Sequence, residues 1–171
     1  MKLSLKEIVL FPILGNIMFV SKVLMQALPN IHLIALFIVS FTLVFRVKAL
    51  IPIYIYVLLE GLFFGFTLWW VPYLYVWAVL WGIIMLLPKN MPKKAAIPIY
   101  CAVCGLHGFL FGVLYAPFQA FAFGMNFQAT VAWIVAGLPF DLIHGCANMV
   151  LGTLVLPIAS VLKRFNLQKT A

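Results

Sequence analysis

From Ala49 to Pro88 the chain carries one charged side chain, Glu60, in a run otherwise made of apolar and aromatic residues with a few Gly, Pro and Thr breaks. Lipid offers backbone amides no partner, so such a run must close its hydrogen bonds within itself, as helices or as a closed barrel. The two-residue alternation of barrel strands is absent, which leaves helices. The remainder is of the same kind: 67% of residues are apolar and 8% are charged, against about 45–50% and about 25% in soluble domains. A water-soluble fold could not hide that much apolar surface. No linker or compositional break divides the chain, so residues 1–171 are expected to form one all-α integral membrane domain.

A spanning helix takes about 20 apolar residues, with a range of about 17–25. Cutting at Pro and polar clusters gives six spans, near 7–28, 31–46, 49–68, 71–88, 95–117 and 129–162. The last is long enough to be broken at Gly137-Leu138-Pro139. The apolar run from Ile8 to about Leu28 is longer than the about 7–15 residues of a signal-peptide core and has no A-x-A cleavage site, so it reads as a retained first span. Lys2 and Lys6, Arg46 and Lys48, Lys89, Lys93 and Lys94, and Lys163, Arg164 and Lys169 fall in alternate connections and make up ten of the eleven basic residues. The connections on the opposite side hold none. By the positive-inside rule both termini of this multi-pass protein lie in the cytoplasm. The net charge of +8 is then a topology signal, with contact to anionic headgroups as a second role; its distribution is not that of a nucleic-acid binder.

Two segments, KALIPIY from Lys48 and KAAIPIY from Lys94, each open a span from the basic side and lead into Gly-rich stretches. Gly61/Gly65 and Gly108/Gly112/Ala116 place small residues four apart, where helix backbones can approach within this chain or against a partner.

Polar groups inside the spans mark the candidate site, because each charge would cost about 2.5–3.5 kcal/mol or more at a helix centre facing lipid. The eleventh basic residue, Lys22, lies in the second half of span one with Gln26 a turn later, and Glu60 lies past the midpoint of span three. If the last helix starts at Pro139, a favoured first-turn residue, Asp141 sits in its first turn beside a favourable dipole. All three charges then belong to the outer half. Asp141, His144 and Asn148, spaced i, i+3, i+7, share one helix face. Trp69, Trp70 and Tyr73 suit an interfacial belt, whereas Trp77, Trp81 and Trp133 are candidates to line a cavity. The polar groups are open to two descriptions: a structural network that fixes register, or an outward pocket with aromatic walls suited to a small molecule.

Cys101, Cys104 and His107 form a C-x-x-C with a nearby His, but no second pair completes a metal set, so buried thiols are expected and no metal or cofactor. No nucleophile elbow, H-E-x-x-H, Walker motif or dinucleotide loop is present. Three functions stay open beside ligand binding: a proton-coupled carrier using Asp141 and His144, an integral-membrane enzyme using them as acid and base, and a purely structural subunit.

The stretch GLPFDLIHGCANMVLGTLVLPI from Gly137 to Ile158 resembles the G-x-P-F-D-x-x-H-x-x-x-N pattern of small substrate-binding S components of energy-coupling factor (ECF) vitamin transporters. The turn Leu28-Pro29-Asn30-Ile31 and the stretch from Glu60-Gly61-Leu62 through Trp69-Trp70 to Tyr73-Leu74-Tyr75 are similar too, and size, span number and termini agree over nearly the whole chain. The chain departs from the family in having His32 where relatives carry an acid, and no clean A-x-x-x-A in span one. The resemblance implies a subunit without catalysis of its own, binding a water-soluble vitamin or related micronutrient from outside. It implies docking on a transmembrane scaffold subunit with two cytoplasmic ATPases, and release by toppling in the membrane. By the same inference Asp141, His144 and Asn148 would hydrogen-bond the ligand, Trp77 or Trp133 would stack on it, and Lys22 or Gln26 would close the site, with Glu60 able to neutralise Lys22.

Overall fold

The structure, a computed structural model, describes residues 2–89 and 91–167, and Lys169 of the last basic group lies outside them. Among the described residues every regular element is a helix: α1 (Leu5–Leu24), α2 (Ile34–Phe45), α3 (Leu50–Phe64), α4 (Tyr73–Leu86), α5 (Lys93–Phe109), α6 (Phe111–Phe123), α7 (Phe127–Leu151) and α8 (Val155–Leu167). Short 3-10 turns occupy Arg46–Ala49, Leu68–Trp70 and Gly152–Leu154. Five helical stretches are long and apolar enough to cross a membrane: Leu5–Leu24, Ile34–Phe64, Leu68–Leu86, Lys93–Phe123 and Phe127–Phe165. Their outward side chains are apolar as well, with Ile8 54%, Phe121 85% and Val150 70% exposed, which only lipid solvates without penalty. The chain is an all-helical, multi-pass membrane protein.

Helix α1 starts in a capping box: the Glu7 amide donates to Ser4 Oγ at 3.3 Å and the Ser4 amide to Glu7 Oε2 at 2.8 Å. The same carboxylate takes Lys48 Nζ at 2.7 and 2.8 Å. At the other end of α1, Lys22 reaches Glu60 of α3. Between these clamps a Cβ at Gly15 would lie 2.6 Å from Ile55 Cγ2 and 3.0 Å from the Pro52 carbonyl oxygen, so α3 packs directly on the Gly15 backbone. Residues 7, 15 and 22 thus meet 48, 55 and 60, and α1 and α3 run parallel. Helix α2 carries the chain back from the end of α1 to the start of α3 while packing on α4 and α8, and it reverses at Arg46, a non-glycine residue at φ 55. The Arg46 carbonyl accepts from Trp81 Nε1 at 3.1 Å and its guanidinium donates to the Met85 carbonyl at 2.9 Å, which ties the reversal to the end of α4.

The second half is held by a seam of glycines. A Cβ at Gly108 would meet Gly145 Cα at 2.7 Å and its amide N at 2.8 Å, and one at Gly152 would meet Cys101 Cα at 2.6 Å. Helices α5 and α7 therefore pack antiparallel, backbone against backbone. The small residues at 108 and 112 serve contacts within this chain, and Gly65 ends α3 at φ 92. Cys104 of α5 is buried, Cys101 half-buried and Cys146 exposed.

Two expectations are corrected. Helix α7 passes through Gly137-Leu138-Pro139 without a break, and its capping residue is Asn126, whose side chain accepts the Ala129 amide at 2.8 Å. Asp141 is therefore in mid-helix, not in a first turn, and the dipole does not act on it. A proline inside a helix is tolerated here because neighbouring helices in a membrane bundle compensate the lost bond. The irregularity falls instead at the 3-10 turn after α7. The fifth span likewise extends beyond 117 through α6 to Phe123.

Replacing Gly108 by Ala forces backbone against backbone and is expected to destabilise the bundle by about 1–3 kcal/mol. Gly82→Ala, where nothing lies within 4 Å, should leave thermal unfolding in detergent unchanged or slightly raised.

A candidate ligand site at one end of the bundle

Because α1 and α3 are parallel, the late residues of both reach the same end. There Lys22 Nζ lies 2.6 Å from Glu60 Oε2. Lys22 also donates to the Tyr73 hydroxyl at 3.2 Å, with its ammonium 4.9 Å from the centre of that ring. The link between α1 and α2 folds across this end, with Asn30 in the left-handed region at φ 59, a conformation that Asn accepts more readily than most residues. The link carries His32 inward until its ring lies edge-on to His144 of α7, with centroids 4.7 Å apart, and to Trp77 of α4 at 6.1 Å.

These groups enclose a cavity of about 370 Å³. Lys22, Gln26, Glu60, His32 and His144 supply its polar lining, and Phe64, Trp69, Tyr73 and Phe111 its aromatic walls. Behind the walls stands Trp77, 1% exposed. Its ring lies 5.4–6.2 Å from those of His32, Tyr56, Tyr73, His107 and Phe111. His107 donates its Nε2 proton to the Val76 carbonyl at 3.1 Å, the only role that nitrogen can take against a carbonyl oxygen. By contrast His32 Nδ1 and His144 Nε2 have no hydrogen-bond partner in the protein. Buried polar atoms of this kind are costly unless something answers them.

Of the residues singled out from sequence, Lys22, Gln26, Glu60 and His144 come together on the cavity. Trp77 lies beneath it. Asp141 does not line it: its Oδ2 accepts the Gly112 amide at 3.0 Å and so fastens α7 to α6. Asn148 is buried a turn below His144, with both side-chain polar atoms unpartnered. Trp133 stacks on Tyr115 at 6.2 Å and 22°, away from the cavity, and Trp81 serves the opposite end. Sequence reasoning missed His32 as a lining residue and assigned Trp69 and Tyr73 to a belt. Trp69, Tyr73 and Trp77 are spaced by four, which was a legible sign of one shared face; nothing in the sequence marked Phe111.

Glu60 is 1% exposed at its side chain and Lys22 26%, so the two partners are not equivalent. Lys22→Met leaves a nearly buried carboxylate without its counter-ion and is expected to cost roughly 1–3 kcal/mol. Glu60→Gln leaves an ammonium that can turn into the cavity and should cost less. The double variant should be more stable than Lys22→Met alone, as thermal unfolding of the three purified proteins would show.

Burial holds the His32 imidazole well below its ordinary range, with His144, Lys22 and His107 nearby adding to the effect. The unfolded chain takes up a proton there as pH falls through about 6.5, whereas the folded chain does not. Stability contributed by neutral His32 is thus complete above that pH and lost below it, at up to about 1.4 kcal/mol per pH unit. Melting temperature should fall between pH 7 and pH 5, and His32→Gln should flatten the fall.

No family model matches the chain, and comparison with curated proteins and with solved structures returns no match.

Proposed function

We propose that this chain is the substrate-binding subunit of an ECF-type importer, taking a small, water-soluble, vitamin-like compound from outside the cell. The observation that carries this is the cavity. Its charges are already paired, its lining includes His32 and His144 with a ring nitrogen each unpartnered, and its walls are aromatic, the composition of a small-molecule site. At about 370 Å³ it lies at the small end of the usual range of about 300–1,000 Å³. A compound of one or two planar rings suits it better than a cobalamin fragment.

The parallel course of α1 and α3 supports six crossings. The stretch Ile34–Phe64 counts twice, folding back at Arg46, and both termini then share the side of the basic connections, which is cytoplasmic by the positive-inside rule. The cavity falls on the opposite, outer side. Energy for uptake would come from partners, a transmembrane scaffold subunit and two cytoplasmic ATPases, since no nucleotide-binding motif occurs in the sequence. Asp141 and His144, the pair an enzyme or a proton-coupled carrier would use, do not share the cavity, which favours binding over both.

Native mass spectrometry of the gently purified chain, with thermal shifts across a panel of water-soluble vitamins, tests the proposal. The expected result is one retained or stabilising compound, bound at least about tenfold more weakly by His144→Ala, a loss of about 1.4 kcal/mol. An empty protein with no shift from any compound sinks it, and uptake into liposomes without an ATPase would establish the carrier instead.

A further inference from the structure

A second cavity, about 560 Å³, lies at the end of the bundle away from the candidate ligand site, where α2, α5, α8 and the link before α5 converge. Lys89, Lys93 and Lys163 line it over an apolar floor that includes Leu43, Ala96 and Leu156. The chain contains three acidic residues in all, and each is engaged elsewhere. Glu7 holds Lys48, Glu60 holds Lys22, and Asp141 holds the Gly112 amide. No acidic side chain is left to neutralise the three lysines among the described residues. They come from two places far apart in sequence, so like charges have been brought together in spite of their repulsion. The first turn of α5 begins here too, at Lys93, and presents amides that add to the attraction for an anion.

We propose that this cavity binds the headgroup of an anionic phospholipid, the phosphate held between Lys93 and Lys163 with Lys89 at the rim, and an acyl chain leaving along the apolar floor. A free phosphate would use only the upper half of the cavity. An amphiphile uses both, and basic cavities between helices at the cytoplasmic boundary are where acidic headgroups are found. The site depends on the chain lying in a bilayer and not on its carrying a vitamin.

The test is native mass spectrometry of the chain titrated in detergent with phosphatidylglycerol or phosphatidylcholine of matched chains. Two triple variants with equal loss of charge are compared: Lys89→Gln/Lys93→Gln/Lys163→Gln at the cavity, and Lys2→Gln/Lys94→Gln/Arg164→Gln outside it. Each lysine near a phosphate is worth roughly fivefold in affinity. The cavity variant should therefore lose at least about tenfold in phosphatidylglycerol retention, with the outer variant within about twofold of the parent. Equal loss in both variants would reduce the effect to general surface charge and overturn the site. Equal retention of phosphatidylcholine would make it an apolar groove, and full competition by inorganic phosphate would make it a free-anion site; either overturns the proposal. Circular dichroism of both variants distinguishes loss of lipid from loss of fold, and a cavity variant that folds and still retains the lipid overturns the proposal as well.

Discussion

Three acidic side chains organise this bundle, and the sequence has no others. In an apolar surrounding an ionised group is stable only when answered at close range, so each acid dictates which element lies beside it. Glu7 sets the foot of α1 against the turn before α3. Glu60 sets the head of α3 against α1. Asp141 sets the middle of α7 against the start of α6. With those clamps α1 and α3 must run parallel, α2 must run back antiparallel to both, and the ends of α1 and α3 must meet the start of α4. The cavity is the space left where they meet.

Close packing completes what the clamps begin. The glycine seam brings α7 so near α5 that His144 is carried to the inner surface, where His32 and Phe111 meet its ring. Trp77 then works as a hub: five rings surround it, four of them from other elements, so edge-to-face and tilted contacts help to hold the walls of the cavity. Such contacts contribute about 0.5–1.5 kcal/mol each beyond area burial. Tyrosine and tryptophan donors at the periphery, among them Trp70 to the Val57 carbonyl at 2.7 Å and Tyr75 to the Leu114 carbonyl at 2.9 Å, tie backbone oxygens of one element to side chains of another.

Helix identity and approximate limits were legible in the sequence because apolar length and basic residues are strong signals in a membrane protein. Lys22 and Glu60 were placed at a common end by counting directions along successive spans, and the ion pair follows. Asp141 was misplaced for a physical reason. Pro139 was read as a start signal, as it would be in water, whereas in this bundle α7 runs through it. Moving the helix start to Phe127 put Trp133 within α7, against Tyr115 and away from the cavity. His32 was legible only as a departure from a resembling family. Its inward position depends on the path of the link over the cavity, which no period in the sequence encodes.

The grouping of basic side chains at one end has a consequence for how the whole body sits in an energised membrane. Lys48 at the foot of α1, Arg46 at the end of α4, and the lysines around the second cavity share that end, while the opposite end carries a neutralised pair and uncharged aromatics. The molecule is thus a charged float with one heavy pole. Each elementary charge carried across the bilayer against the potential costs about 2.3 kcal/mol per 100 mV. A rotation that keeps the basic pole in the headgroup layer and swings only the aromatic pole through the lipid avoids nearly all of that work. In the orientation proposed above, a tilt about the charged end would therefore carry little net charge through the potential.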